Sequence, residues 1–140
     1  MKVLALDYGA ARTGVAVSDP TGMLARPLTV VERAATEAGI AKLAELVRDE
    51  AAELVVVGLP LTLRGERGEQ ARETEAFVES LRGAVEVPVE LYDERFTTRL
   101  ANVPTGVRPG VRPRLEGSDD ARAAAHLLSS YLEWSSAAKE

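Results

Sequence analysis

Three acidic residues stand where a carboxylate could take part in metal chemistry. Asp7 ends the apolar run 3–6, Glu94 follows a predicted strand, and Asp120 lies in the first turn of a predicted C-terminal helix. The 140-residue sequence has no cysteine and one histidine, so it lacks the ligands of a typical zinc site. Carboxylate oxygens favour Mg²⁺ or Mn²⁺. Two such ions about 4 Å apart can activate a water and stabilise a leaving oxygen in phosphodiester hydrolysis.

Asp7 belongs to a strand, loop, strand pattern. Residues 2–7 and 13–18 are predicted strands joined by a tight connection, with Asp7 at the end of the first strand. Gly9 and Gly14 fit this pattern because glycine lets another backbone or a phosphate approach closely. A plain hairpin, in which Asp7 merely begins the turn, is the alternative interpretation.

Asp120 lies four residues before the first member of an apolar stripe on the last helix. The stripe consists of residues at helical spacing: Ala124, Leu127, Leu128 and Tyr131. Asp120 is therefore predicted on the face that packs against the sheet, where a carboxylate needs a cap, a partner or a cation. Alternatively, Asp119 and Asp120 only stabilise the positive end of the helix dipole.

The other elements must bring these acids together. A turn at 19–22 leads to an extended stretch at 26–31, and Thr36 can cap a helix that runs to about Glu50. A buried strand (54–57), a helix (69–82), a fifth strand (87–92) and a last helix (120–136, capped by Ser118 and Asp119) follow. This order predicts one α/β domain over residues 1–140, a mixed five-stranded sheet with helices on both faces. Sites in such sheets lie beyond the carboxyl ends of the parallel strands.

Charge is distributed unevenly along the chain. The net charge is −5, but residues 95–115 hold five arginines and no acidic residue, which leaves −10 for the remainder. An acidic body with one arginine-rich segment suits a protein that binds phosphates at one place, although a solvated loop has the same composition. No long apolar run or signal peptide is evident, so we expect a soluble, cytoplasmic protein without membrane contact.

Several motifs become recognisable in combination. They are the segment 7–19 (Asp-Tyr-Gly-x-x-Arg-x-Gly-Val-Ala-Val-Ser-Asp), Val57-Gly-Leu-Pro-Leu61 with Gly65, Gly68 and Glu69-Gln70-Ala71, Asp93-Glu-Arg-Phe-Thr-Thr98, Asp120-x-x-x-Ala-Ala125 and Tyr131-Leu132. Together they resemble the YqgF (RuvX) family of bacterial proteins, which have an RNase H-like fold. The resemblance extends over nearly the whole chain.

The resemblance implies a function and roles for particular residues. Family members are assigned as nucleases that process the 5′ end of pre-16S rRNA and also as Holliday junction resolvases. By the resemblance, the catalytic and metal-binding acids are Asp7, Glu94 and Asp120, with two ions of Mg²⁺ or Mn²⁺. The residues that would contact phosphate or order the site are Arg12, Arg95, Thr97 and Thr98. The family pattern is interrupted by prolines and glycines within 99–118, which affects the substrate-binding segment more than the acids.

Four functions remain open on the sequence. The first is a metal-dependent nuclease acting on precursor rRNA. The second is a resolvase of branched DNA, which would act as a homodimer because two symmetric cuts are needed. The third is an ATPase of the actin and Hsp70 type, which 140 residues disfavour because that fold needs two lobes. The fourth is a non-catalytic RNA- or ribosome-binding factor on the same fold.

Two aromatic side chains on the last helix receive structural interpretations. His126 lies about 240° around the helix from Asp120, which predicts a surface or rim position. Trp134 is expected to be a packing residue or an oligomer contact, and not a base-stacking platform.

Overall fold

A five-stranded sheet forms the centre of the protein. The computed structural model describes residues 1–59, 68–93 and 118–138. Its elements in chain order are β1 (Val3–Asp7), β2 (Arg12–Ser18), β3 (Ala25–Glu32), α1 (Glu37–Asp49), β4 (Leu54–Leu59), α2 (Glu69–Arg82), β5 (Val89–Asp93) and α3 (Ser118–Ala138). The strand order is β3-β2-β1-β4-β5.

The sheet is antiparallel on one side of β1 and parallel on the other. β1 pairs with β2, and β2 with β3, in antiparallel register. β1 pairs with β4, and β4 with β5, in parallel register. The predicted mixed sheet is therefore confirmed, and its first three strands form an antiparallel meander.

The apolar run of β4 is continuous because both faces of the sheet are covered. Val55 and Val57 pack into the core cluster beneath α1 and α2. Leu54 and Val56 belong to the second cluster, beneath α3. A strand covered on one face only would alternate apolar and polar residues, so the run correctly predicted a central strand.

Helices α1 and α2 cover one face of the sheet. Thr36 caps α1 as predicted, and its hydroxyl accepts a hydrogen bond from the Gly39 N–H at 3.2 Å. α2 spans the predicted residues and Gly83 follows it as the C-cap. The residues that these helices bury include Leu43, Ala44 and Val47 from α1 and Phe77, Val78 and Leu81 from α2.

Helix α3 covers the opposite face. Its predicted stripe is buried, and each member exposes 7% or less of its surface: Ala124, Leu127, Leu128 and Tyr131. The helix begins at Ser118, so Ser118 and Asp119 belong to its first turn and do not precede it as the predicted cap. Within the described ranges, no helix has both the length and the apolar character needed to cross a bilayer.

The tight turn between β2 and β3 lies at the far end of the sheet from Asp7. The Gly22 N–H donates to the Asp19 carbonyl at 2.9 Å, as the turn prediction requires. The Asp19 carboxylate accepts from the backbone N–H groups of Leu24 and Met23 at 3.0 and 2.8 Å. The hydrogen bond from Leu24 is the main cause that lowers the pKa of Asp19 to about 2.

Candidate metal and nucleic-acid site

Asp7 lies at the edge of the sheet where the three parallel strands end. It is the last residue of β1, and β4 and β5 end beside it at Leu59 and Asp93, which are register partners. Val3 and Ala5 of β1 pack beneath α3. Because side chains alternate along a strand, Asp7 projects to the same side of the sheet. The carboxyl ends of β1, β4 and β5 therefore lie side by side, which the sequence alone could not show.

Gly14 brings α3 against β2 directly opposite Asp7. Asp7 and Gly14 are register partners in the antiparallel pair. A Cβ atom built on Gly14 would lie 1.8 Å from the backbone oxygen of Asp120 and 2.3 Å from its carbonyl carbon. No side chain fits at this position, so the first turn of α3 rests on the backbone of β2. The expectation of a close backbone approach at Gly14 is confirmed, and its partner is the Asp120 backbone.

These two contacts make Asp7 and Asp120 neighbours. Facing Cα atoms of an antiparallel pair are about 5 Å apart, and the Asp120 backbone packs over Gly14 on the α3 face, so the two aspartate Cα atoms are separated by about 10 Å or less. Both residues are partly exposed. The structure thus brings together two of the three predicted acids, one from a strand end and one from a helix.

Arg12 neutralises part of the charge at this position. Its Nε lies 3.3 Å from Oδ2 of Asp120, and the Arg12 and Asp120 side chains are 63% and 35% exposed. An ion pair this accessible contributes little to stability, at most about 1 kcal/mol. The ion pair matters more for its position, because it holds the Arg12 guanidinium, a good phosphate ligand, beside Asp7 and Asp120.

The loop between β1 and β2 is held from both sides. The fully buried Thr13 donates its hydroxyl to the Gly9 carbonyl at 3.5 Å and accepts from the Gly9 N–H at 3.4 Å. The Tyr8 ring stacks on Phe77 of α2, with ring centroids 4.4 Å apart. Burial, with a smaller contribution from the Glu73 charge, raises the pKa of Tyr8. The backbone that follows Asp7 is therefore anchored to the core.

The remaining predicted site residues lie outside the described ranges. They are Glu94, Arg95, Thr97 and Thr98, together with the arginine-rich segment 95–115. Across residues 1–59, 68–93 and 118–138, no cluster of three or more His, Cys, Asp or Glu side chains could hold a metal ion. Asp7 and Asp120 offer only carboxylate oxygens, a donor type that fits Mg²⁺ or Mn²⁺ and not a thiophilic metal.

Arg33 is a site-edge residue that sequence reasoning did not single out. It follows β3 with a φ of 47°, and its N–H donates to the carbonyl of Ala11, the residue before Arg12, at 3.0 Å. Nothing in the local sequence Glu-Arg-Ala-Ala signals a left-handed backbone, which glycine or asparagine would ordinarily mark.

Both aromatic predictions on α3 can be compared with the structure. His126 is exposed, as predicted. Trp134 is 51% exposed and lies beside Tyr92 and Tyr131, with ring centroids 6.0 and 5.8 Å away. Packing at the end of the helix is therefore confirmed for Trp134.

The sequence is similar to a known protein family and to individual named proteins. A family model described as "RuvX: Holliday junction resolvase" matches residues 1–134. A protein from Rubrobacter xylanophilus named "Putative pre-16S rRNA nuclease" is 50% identical over 135 residues, which cover 94% of this chain and 92% of that one. A protein of the same name from Chloroflexus aurantiacus is 40% identical over 136 residues, covering 94% of this chain and 86% of the relative.

Solved structures show the fold. RuvC from T. thermophilus in complex with a Holliday junction substrate superimposes with a TM-score of 0.61 at 21% identity, covering 96% of both chains. The fowlpox virus resolvase in complex with junction DNA gives a TM-score of 0.55 at 12% identity, covering 96% of this chain and 98% of that one. The chain therefore has an RNase H-like fold. The family model together with the curated relatives shows that the chain belongs to the RuvX (YqgF) family.

Proposed function

We propose that this protein is a metal-dependent nuclease that hydrolyses phosphodiester bonds of structured nucleic acid and processes the 5′ end of pre-16S rRNA. The observation that carries the proposal is the juxtaposition of Asp7 and Asp120 across Gly14. The names of the curated relatives at 40% and 50% identity support the substrate.

In this proposal, Asp7, Asp120 and Glu94 are the ligands of Mg²⁺ or Mn²⁺. Glu94 directly follows Asp93, the last residue of β5, in the sequence. The bound ions would supply an activated water and neutralise charge on the phosphate that is attacked. β1 fixes the backbone of Asp7, and the docking of α3 on Gly14 fixes that of Asp120. Neither acid then has to be ordered by the substrate.

The positively charged residues would bind the nucleic acid. Arg12 lies beside Asp120 with most of its side chain exposed, so it can contact a phosphate next to the scissile bond. Arg95, Thr97 and Thr98 are proposed as further substrate ligands on the strength of the family motif. The five arginines of residues 95–115 would add attraction for the phosphate backbone.

A cleavage assay with two neighbouring aspartate variants tests the proposal. The substrate is an RNA that carries the 5′ end of 16S rRNA with its leader, incubated with Mg²⁺, Mn²⁺ or EDTA. We expect cleavage with either metal and none with EDTA. Asp120→Asn should lower the rate by about a hundredfold or more, because the side chain loses the charge that holds the metal. Asp119→Asn, an exposed carboxylate of the same helical turn, should leave the rate unchanged.

The same assay separates the proposal from a factor that only binds RNA. RNA binding without metal-dependent cleavage would overturn the nuclease assignment and favour a non-catalytic role. Equal cleavage by wild type and Asp120→Asn would also contradict it, because the activity would then come from another site or a contaminant.

Resolution of four-way DNA junctions is the second candidate. The description of the family model favours it, and it requires a homodimer that makes two symmetric cuts. A synthetic four-way junction in the same assay, with sedimentation of the complex, decides between the two candidates. Paired, symmetric nicks by a dimer at rates above those on the precursor RNA would favour the junction as substrate.

A further inference from the structure

We propose that Arg33 is a second phosphate-binding residue, which extends the nucleic-acid site from the acidic pair across the ends of β2 and β3. This inference rests on the proposed function and adds to it the direction in which one arm of the substrate leaves the site.

The position of Arg33 follows from the sheet. Arg12 and Glu32 are register partners at the ends of β2 and β3. Arg33 comes next in the chain and is tied through its N–H to the carbonyl of Ala11. Its backbone is thus about two residue lengths from Arg12, which itself pairs with Asp120. The Arg33 backbone therefore lies close enough to Arg12 for both side chains to contact one nucleic-acid strand.

Arg33 is held firmly although its side chain is exposed. Its carbonyl accepts hydrogen bonds from the Thr36 N–H at 3.1 Å and from the Thr36 hydroxyl at 2.7 Å. Gly39 of α1 packs against the same carbonyl, since a Cβ there would lie 2.4 Å from it. A guanidinium attached to a backbone that is held in this way loses less conformational entropy when it binds a phosphate than one attached to a flexible loop.

The side chain of Arg33 makes no hydrogen bond or ion pair within residues 1–59, 68–93 and 118–138. Among the described residues, no carboxylate forms an ion pair with its guanidinium. The donors of Arg33 are therefore available for a phosphate.

The backbone of Arg33 gives a second reason to look for a function. Its φ of 47° is in the left-handed region, which costs an arginine about 1–2 kcal/mol and a glycine almost nothing. A position that suits glycine but holds a long cationic side chain points to a use for that side chain. Ala51, with a φ of 52°, is the other left-handed non-glycine residue in the described ranges and lies beyond the far end of α1.

These two positions provide a matched experiment. Affinity for the fluorescently labelled precursor RNA is measured in EDTA, without cleavage, at several salt concentrations. Arg33→Gly should keep or raise the melting temperature, yet weaken RNA binding by about three- to tenfold and lower the salt slope by about 0.7. Arg33→Lys should retain most of the affinity. Ala51→Gly relieves the same backbone strain and should leave RNA binding unchanged.

The possible failures are distinguishable. If wild type binds the RNA and Arg33→Gly binds it with the same affinity and salt slope, Arg33 is not a phosphate ligand while the nuclease proposal stands. If Ala51→Gly weakens binding as much as Arg33→Gly, the effect comes from the backbone and the inference is wrong. If wild type does not bind the RNA at all in EDTA, the inference is wrong, while the cleavage assay decides separately whether the nuclease proposal stands.

Discussion

At the scale of single residues, Gly14 has no side chain, and the Asp120 backbone occupies the space that a side chain would fill. Asp7 lies directly across from it on β1. The separation of the two carboxylates therefore depends on a residue that has no chemistry of its own. We regard Gly14 as a positioning residue, since it acts only through Asp120.

Gly14→Ala should disturb the site more than it disturbs the fold. The added methyl group must push the first turn of α3 away from β2, so we expect a stability loss of about 1–3 kcal/mol, typical of overpacking. We also expect Mn²⁺ affinity, measured by calorimetry, to fall at least about tenfold as Asp120 moves.

A cavity variant provides the control for stability. Leu81→Ala in α2 should destabilise the protein by about 2–5 kcal/mol but leave Mn²⁺ affinity unchanged in the folded protein. Unchanged Mn²⁺ affinity in Gly14→Ala would show that the close approach of α3 does not set the site.

The positions of Asp7 and Asp120 on their elements could be predicted from the sequence, because each follows from a local pattern. Asp7 ends an apolar run, and Asp120 is in register with an apolar helical stripe. Their proximity could not be predicted, because it depends on a tertiary contact at Gly14 between segments more than 100 residues apart in the chain. The proposed phosphate-binding role of Arg33 could not be predicted from the sequence for a similar reason. Its backbone angle is imposed by its contacts with Ala11 and Thr36.

At the scale of elements, α3 is joined to β5 by polar contacts as well as by its apolar stripe. The Tyr131 hydroxyl donates to the Glu90 carboxylate at 3.0 Å, and the hydroxyls of Tyr92 and Ser130 lie 2.8 Å apart. The rings of Tyr92 and Tyr131 meet edge to face, with centroids 5.5 Å apart. These contacts fix the position of α3 along the helix axis relative to the sheet. Asp120 lies in the first turn of the same helix.

The Tyr131→Phe variant tests the contact between α3 and β5, because the contribution of the Tyr131 hydroxyl to the free energy of unfolding depends on pH. Burial, then the hydrogen bond and charge of Glu90, raise the pKa of Tyr131 to about 12 from an ordinary value of 10.0. A raised pKa stabilises the folded state fully below about pH 10, and this contribution is lost as the pH rises towards 12.

The comparison is made by urea denaturation between pH 7 and 11. At pH 7 the variant should be less stable by about 1 kcal/mol, the net value of one hydrogen bond. Above pH 10 the gap between the two proteins should narrow, because only wild type loses the Tyr131 contribution. A gap that stays constant to pH 11 would show that the pKa of Tyr131 is not raised in the folded protein.

The elements themselves were largely predictable. α2 has the predicted bounds, and the Thr36 cap and the stripe of α3 were identified from residue type and spacing. The start of α3 differs by two residues, since several residues near 118–120 can occupy a helix start. The edge-to-face and stacked ring pairs were not predictable, because they join residues of different elements.

At the scale of the whole molecule, metal binding and folding should be coupled. A cation held by a strand end and by a helix binds the folded chain and not the unfolded one, so it should raise the free energy of unfolding. Added Mn²⁺ at a hundred times its dissociation constant should stabilise wild type by about 2.7 kcal/mol.

Two charge-removing variants show whether that stabilisation comes from the site. Asp7→Asn should lose most of the rise in melting temperature with Mn²⁺, whereas Asp49→Asn, an exposed carboxylate at the end of α1, should keep it. An equal rise in all three proteins would mean that Mn²⁺ acts by general screening of the acidic body.

The most direct test of the central claim is a crystal structure of the protein soaked in Mn²⁺, with the metal located by its anomalous signal. We predict a Mn²⁺ ion that lies about 2–2.5 Å from carboxylate oxygens of both Asp7 and Asp120. Mn²⁺ bound only elsewhere, or Asp7 and Asp120 side chains directed away from each other in the soaked crystal, would contradict the account.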